Sequence, residues 1–252
     1  MTAEEHVVAV HVERGRVRAV CASPSGAELS RVSLPAVRSV TYTQAVSDAV
    51  RRVQALAGRR ADNARRVVVG ASRASLVHSQ RRRRVPSGPY WRECLATSLE
   101  YDLATSVVVR TATALAALVE GYVGLAAGAP DGRFVYINLG SYTEICMVEN
   151  GEVVRESAAL TRSDLDLEGA ATPQAVQKVI ELLLPFLRPF VVTPPVIVTR
   201  TMPRRSDDSG AIWLRTGFVR YSTLRPRLMT AEVSDSKVLD GALLLSTGRR
   251  EQ

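Results

Sequence analysis

Val7-Val-Ala-Val-His-Val-Glu-Arg-Gly-Arg-Val-Arg-Ala-Val-Cys-Ala22 contains two runs of apolar residues on either side of the turn-forming pair Arg14-Gly15. Both runs are rich in valine, which favours extended strands. A third run follows the turn at Ser23-Pro-Ser-Gly26. The pattern predicts an antiparallel meander of three strands, which cover Val7 to Val12, Arg16 to Ala22 and Leu29 to Leu34.

The segments that follow predict helices alternating with strands. Apolar residues between Val46 and Ala57 recur with the 3.6-residue period of an amphipathic helix, and the run Val67 to Val69 is typical of a buried strand. The same order of elements occurs again from Phe134 onward, with Asn150-Gly151 at the last turn of a second meander. We therefore predict an α/β fold of two lobes, residues 1–127 and residues 128–252.

The composition excludes several classes of protein. With 252 residues, of which 46% are hydrophobic and 23% charged, the chain can bury a core, so disordered and fibrous folds are excluded. No apolar stretch reaches the ~18 residues that span a bilayer, and no secretory signal is readable at the N-terminus. We expect a cytoplasmic protein that enters no membrane. Because Cys21, Cys94 and Cys146 are scattered, we predict neither a disulfide framework nor a metal site.

Four parts of the sequence together resemble one family. They are Val8 to Ala19, Val107 to Ala117, Phe134 to Gly140 with Asn150 to Arg155, and Leu239 to Leu244. On these residues the chain resembles the ROK family of sugar kinases and repressors, which belongs to the actin-like, sugar-kinase and Hsp70 ATPase superfamily. The resemblance implies two ribonuclease-H-like lobes that face each other across a cleft. It also makes a homodimer plausible, because members of the family are commonly dimeric.

The residues that the family uses for catalysis differ at the matching positions. Its first phosphate hairpin has the pattern Asp-x-Gly-Gly-Thr-Lys, and the matching residues are His11-Val-Glu-Arg-Gly-Arg16, so the metal-holding aspartate and both glycines are replaced. Its general base lies in Asn-Asp-Ala-Asn, which matches Arg110-Thr-Ala-Thr113. Thr111 cannot act as that base near neutral pH. Thr111 and Thr113 are well suited to cap the helix that follows.

Three further features of the family are changed. The second phosphate loop, Leu-Gly-Thr-Gly-Ile-Gly, matches Leu139-Gly-Ser-Tyr-Thr-Glu144, where a carboxylate would repel a triphosphate. The adenosine loop, Gly-Gly-Gly, matches Thr199-Arg-Thr-Met-Pro203. The segment from Ser157 to Thr172 is too short for the family's zinc-binding and sugar-gripping residues. These changes predict a pseudokinase with no catalytic residue, no metal and no cofactor, rather than an enzyme.

An arginine-rich segment is a candidate for ligand binding. The net charge is +8 and nearly all basic residues are arginine, including Arg73 and the run Arg81, Arg82, Arg83 and Arg84. Guanidinium groups bind phosphate or carboxylate through paired hydrogen bonds. The alternative is a solvated loop. Tyr90 and Trp91 can stack on a planar ligand, or they can anchor the next helix in the core. The candidate cleft also includes Arg110, Thr111, Gly140 and Ser141.

These observations favour a non-catalytic protein with a binding or regulatory role, which engages a protein partner or an anionic small ligand. Two alternatives stay open. One is an active sugar kinase that uses Glu13, Glu144 or Asp166 as its acid. The other is a nucleic-acid binder that depends on the run Arg81 to Arg84, whose binding would weaken steeply with salt. Direct DNA reading is not favoured, because no helix-turn-helix precedes the first strand. No serine-histidine-acid set is recognisable, so a hydrolase is not predicted either.

Overall fold

The computed structural model describes residues 5–13, 15–36, 41–59, 64–71, 90–127, 129, 132–139, 142–161, 173–199, 209–231 and 235–248. Within these ranges the chain forms two five-stranded mixed sheets with helices packed on them. No helix in these ranges combines the length and the apolar character that crossing a bilayer requires.

The first sheet has the strand order β3-β2-β1-β4-β5. The first three strands form the expected antiparallel meander, and β4 and β5 continue the sheet parallel to β1. These strands are β1 (His6–Glu13), β2 (Arg16–Ala22), β3 (Glu28–Pro35), β4 (Ala64–Ala71) and β5 (Val107–Thr111). The helices of this half are α1 (Tyr42–Leu56), α2 (Trp91–Leu103) and α3 (Ala112–Tyr122).

The second sheet repeats this topology in the order β10-β9-β6-β7-β8. Its strands are β6 (Phe134–Leu139), β7 (Tyr142–Glu149), β8 (Glu152–Thr161), β9 (Val196–Thr199) and β10 (Leu228–Thr230). The helices of this half are α4 (Pro173–Leu187), α5 (Ser209–Tyr221) and α6 (Asp235–Thr247). The predicted α/β class and the twofold order β-β-β-α-β-α-β-α are therefore confirmed.

Asn150 and Gly151 form the turn of the β7–β8 hairpin, as the sequence predicted. Asn150 has φ +51° and Gly151 has φ +75°, so both residues occupy the left-handed region. Two consecutive residues with positive φ are what a type I′ hairpin turn requires, and Asn-Gly is the preferred pair for it. The local sequence thus fixes the register in which Glu149 pairs with Glu152.

One core of the first half lies between the sheet and the helices α1 and α2. Alternate residues of β1, namely Val8, Val10 and Val12, are fully buried in it. The helix α1 begins at Thr41, whose hydroxyl oxygen accepts a hydrogen bond of 3.2 Å from the Gln44 amide. Its apolar stripe, which includes Val46, is buried against the sheet as the 3.6-residue period predicted.

The helix α6 corrects the predicted domain boundary. It packs on β1 and β4 of the first sheet, so the chain divides into one unit of residues 1–116 and 235–252 and a second unit of residues 117–234. The sequence had assigned 1–127 and 128–252 to the two lobes, which placed α6 with the second. Its place in the chain does not reveal this packing, which depends on close contacts with residues far away in sequence.

Two glycines make the close packing of α6 possible. A Cβ atom at Gly241 in α6 would meet the backbone of Leu115 in α3. A Cβ atom at Gly70 in β4 would lie 2.6 Å from Val238 Cγ1 and 2.7 Å from Leu115 Cδ1. Neighbouring atoms leave so little space at both positions that any residue larger than glycine would force them to shift.

The core of the second unit is formed around α4. Its apolar stripe packs with Val135 and Ile137 of β6 and with Leu214 and Phe218 of α5. The buried residues of α4 include the five apolar positions that set its 3.6-residue period, which are Val176, Val179, Ile180, Leu183 and Leu187. The spacing of these residues is that of an amphipathic helix, so the local sequence accounts for the helix and for its buried face.

Candidate ligand-binding site

The end of the β1–β2 hairpin carries a compact group of charged side chains. Glu13 Oε1 lies 2.9 Å from Arg18 Nε and 3.3 Å from His11 Nδ1. The register of the hairpin explains the grouping, because His11 pairs with Arg18 and Glu13 pairs with Arg16. His11 is only 7% exposed, so its imidazole ring belongs to the interior of the sheet rather than to the hairpin surface. The hairpin thus ends in a carboxylate held between a histidine and an arginine.

The surroundings of Glu13 keep its carboxyl group ionised. Burial alone would raise its pKa, but the adjacent His11 ring and the charges of Arg18 and Arg16 outweigh that effect. The net result is a pKa below the ordinary glutamate value. At neutral pH a negative charge therefore stands at the position where the family's hairpin has its first glycine.

The lowered pKa of Glu13 predicts how stability depends on pH. A carboxyl whose folded-state pKa lies below its unfolded value contributes stability above about pH 4.3, and that contribution is lost as the pH falls through the folded pKa. We expect Glu13→Gln to flatten this acid-side loss. Urea unfolding of both proteins at pH 7, 4 and 3 measures it. If the free energies of unfolding of the two proteins fell in parallel with pH, Glu13 would not have the lowered pKa described above.

Thr111 is occupied in a structural role. Its hydroxyl oxygen accepts a hydrogen bond of 3.0 Å from the Ala114 amide, which caps the first turn of α3. This confirms the interpretation of Thr111 as a helix cap at the position that matches the family's catalytic aspartate. Arg110 is half-buried beside it at the end of β5. The position thus holds a hydroxyl group committed to the backbone and no carboxylate.

Apolar side chains separate His11 from Arg110. Both residues are register partners of Gly70, on the two sides of β4. The space above Gly70 is filled by side-chain methyl groups of Leu115 and Val238. Two of the polar residues at this edge of the first sheet are therefore kept apart by the packing of α3 and α6.

The corresponding end of the second sheet carries one buried acidic side chain, Glu144. Asn138 pairs with Glu144 on β7 and with Thr199 on β9, and Glu144 is buried. Burial raises the pKa of the Cys146 thiol, and the negative charges of Glu156 and Glu144 raise it further, so the thiol stays protonated. Among the described residues, no three histidine, cysteine or acidic side chains group in a way that could hold a metal ion.

The two aromatic candidates, Tyr90 and Trp91, differ in their exposure to solvent. Trp91 is buried in the core with α1 and the first sheet, so the proposal that it stacks on a ligand is corrected, and its anchoring role is the observed one. Tyr90 is 70% exposed and stands free of that core. The remaining candidates lie outside the described residues, and their role in ligand binding stays a prediction: Arg73, Arg81, Arg82, Arg83, Arg84, Gly140 and Ser141. Asp166 also lies outside the described residues.

Sequence reasoning named His11 and Glu13 but did not find Arg18. A register count would have found the pair, because the turn at residues 14 and 15 places position 18 opposite position 11. The burial of His11 had no local signal. His11 is buried because α6, at the far end of the chain, covers the face of β1 on which His11 lies.

No protein-family model and no curated protein matches the sequence. Solved structures do match in fold. A ROK hexokinase from Thermus thermophilus matches with a TM-score of 0.64 at 15% identity, over 95% of this chain and 98% of that chain. An inorganic polyphosphate/ATP-glucomannokinase from Arthrobacter sp. strain KM gives 0.60 at 16% identity, over 96% and 98%. A ROK family glucokinase from Streptomyces griseus, in complex with glucose and AMPPNP, gives 0.54 at 15% identity, over 95% and 98%.

These matches define the class of fold. The chain has the α/β fold of these ROK hexokinase and glucokinase structures, as its sequence had suggested. At identities of 15–16% the likeness is one of architecture. The chemistry of this chain has to be argued from its own strand-end residues, because one fold supports many functions.

Proposed function

We propose that this chain is a non-catalytic protein of the ROK sugar-kinase fold. It serves in the cytoplasm as a binding or regulatory module for a protein partner or an anionic small ligand. The observation that carries the proposal is the hydrogen bond from the Ala114 amide to Thr111. A phosphotransferase of this type needs a carboxylate there to take the proton from the sugar hydroxyl. A capping threonine cannot supply that function.

The hairpin between β1 and β2 supports the same conclusion. Phosphate groups bind to glycine-rich loops because bare backbone amides can approach them closely. Here the ionised carboxylate of Glu13 replaces the first glycine and pairs with Arg18. Glu13 would repel a nucleoside triphosphate. It could move away from the triphosphate only by breaking its ion pair with Arg18.

The cores show that the fold itself is retained. Fully buried aliphatic side chains pack against both sheets. Gly70 and Gly241 stand where a larger residue would clash with the packing of α6. The chain thus combines a well-packed scaffold with unsuitable phosphate and base positions. That combination favours a role in which the scaffold presents a binding surface.

The test is a calorimetric titration with ATP and magnesium, together with an assay for ADP release over a panel of hexoses and amino sugars. We expect no sugar-dependent release of ADP above a blank without protein. A sugar-dependent, magnesium-dependent turnover would overturn the proposal. Glu13→Gln would then show whether that carboxylate takes part in the reaction.

Thr111→Asp separates the capping role from the catalytic one. Aspartate caps a helix as well as threonine does, so we expect thermal stability to change little, whereas Thr111→Ala should lose about 1 kcal/mol. The aspartate variant should still lack kinase activity, because the phosphate hairpin is altered as well. The thermal midpoint and the ADP assay measure both effects. Sugar phosphorylation by Thr111→Asp would show that the phosphate and sugar sites are intact, against the proposal.

A further inference from the structure

A groove of about 300 Å³ lies at the end of the second unit where β6 and β9 begin. Its walls come mostly from the segment that joins α4 to β9, and its lining residues are Arg133, Pro189, Phe190, Val191, Val192, Thr193, Pro194 and Pro195. The groove lies at the amino ends of these parallel strands, which is the opposite end of the sheet from Asn138 and Thr199. It is therefore distinct from the strand-end positions discussed above.

The wall of the groove exposes apolar side chains to solvent. Val191 is fully exposed and Val192 is 73% exposed, although both are aliphatic. Adjacent exposed aliphatic residues beside a groove are typical of surfaces that a partner covers. Burying these two side chains on binding would remove unfavourable contact with water.

The segment is held in place before any partner arrives. The amide of Val135 donates a hydrogen bond of 2.9 Å to the carbonyl oxygen of Pro195, and the Arg188 amide donates one of 2.9 Å to Leu184. The ring of Phe190 packs against the core of the second unit. Prolines at 189, 194 and 195 restrict the backbone further. A preorganised surface loses little conformational entropy on binding.

Arg133 places a positive charge at the groove. Its guanidinium carbon lies 5.2 Å from the centre of the Phe190 ring. Glu149 Oε1 lies 3.7 Å from Arg133 Nε, so the two side chains form an ion pair at a distance too long for a hydrogen bond. Within the described part of the chain, Arg133 Nε is buried and has no hydrogen-bond acceptor. The Arg133 side chain as a whole is 40% exposed, so a carboxylate on a ligand can approach its guanidinium group from the solvent side.

We propose that this groove binds an extended segment of an acidic partner protein. An aliphatic or proline side chain of that segment would lie against Val191 and Phe190, and an aspartate or glutamate beside it would accept hydrogen bonds from Arg133. The inference deepens the proposed binding role and rests on it. The exposed apolar side chains of Val191 and Val192 in the groove wall suit a peptide better than a small molecule.

Charge favours an acidic partner over a second copy of this chain. Arg188 is exposed at the start of the same segment and adds to the positive charge. The whole chain carries a net charge of +8, which attracts acidic proteins and opposes self-association.

The probe is a phage-displayed library of random eight-residue peptides, selected on the immobilised full chain. We expect the enriched peptides to share an acidic residue next to leucine, isoleucine, valine or proline. A fluorescein-labelled copy of the consensus peptide then gives affinities by fluorescence anisotropy. Arg133→Glu and Val191→Asp should each weaken binding at least about tenfold. Both side chains lie at the surface of the groove, and circular dichroism checks that the variants fold.

Two control variants match these changes elsewhere in the second unit. Arg220→Glu makes the same charge change at an arginine that lies 5.5 Å from a tyrosine ring, and Val154→Asp changes another exposed valine. Both should bind the peptide as the unmodified chain does. Three results would overturn the proposal: no enriched peptide, enriched peptides without an acidic residue, or loss of self-association by Val191→Asp in sedimentation. The peptide assay needs no nucleotide, so its failure and a positive kinase assay are separate results.

Discussion

Gly241→Ala is expected to lower the thermal midpoint by about 5–10 °C, through a loss of about 2–3 kcal/mol in the free energy of unfolding. The new methyl group would meet the carbonyl group of Leu115 in α3, and backbone atoms cannot rotate out of the way as side-chain ends can. Alanine favours a helix over glycine by about 1 kcal/mol, which offsets only part of the clash. A thermal melt followed by circular dichroism gives the midpoint.

Gly217→Ala in α5 is the matched control for this change. A methyl group there would meet side-chain atoms of Val176 and Ile180 in α4, and these can adjust their rotamers. We expect a clearly smaller loss of stability, because the gain in helix propensity is the same at both sites. A Gly241→Ala protein as stable as the unmodified chain would contradict the close approach of α6 to α3, and with it the assignment of α6 to the first unit.

The elements of the fold were predictable because their signals are local. The valine runs of β1 and β2 and the Asn150-Gly151 turn depend on residues close together in the chain. The apolar stripe of α4 is another such signal, and the structure buries it. The boundary between the units was not predictable in this way. It depends on contacts between α6 and strands more than 150 residues earlier, and no local pattern records them.

The candidate site was predictable where a residue type alone decides its role. Threonine at position 111 cannot be a base and is a good cap, and the structure shows the cap. Trp91 followed the general tendency of an aromatic residue at a helix start to lie in the core. The burial of His11 was not predictable, because both faces of β1 are covered and the second cover is α6. A strand with one open face would have left His11 on the surface.

Gly70 illustrates how packing and function can be confused in a sequence. A glycine at the carboxyl end of a parallel strand is what a phosphate-binding edge would require. In this chain the space beside Gly70 is filled by methyl groups of Val238 and Leu115, so packing accounts for the glycine. The same test applied to the groove at the other end of the second unit gives the opposite answer. There the apolar side chains of Val191 and Val192 are exposed, and packing within the chain does not account for them.

Leu183→Ala is expected to destabilise the second unit by about 2–5 kcal/mol, because its fully buried side chain leaves a cavity in the core around α4. Leu182→Ala is the matched control on the same helix, where the leucine is only partly buried and the loss should be about 1 kcal/mol. Urea unfolding measures both changes. Hydrogen exchange locates them, and amides of β6 and β9 should lose protection while those of β1 and β4 keep theirs. Equal losses of protection in both sheets would show that the two units unfold together.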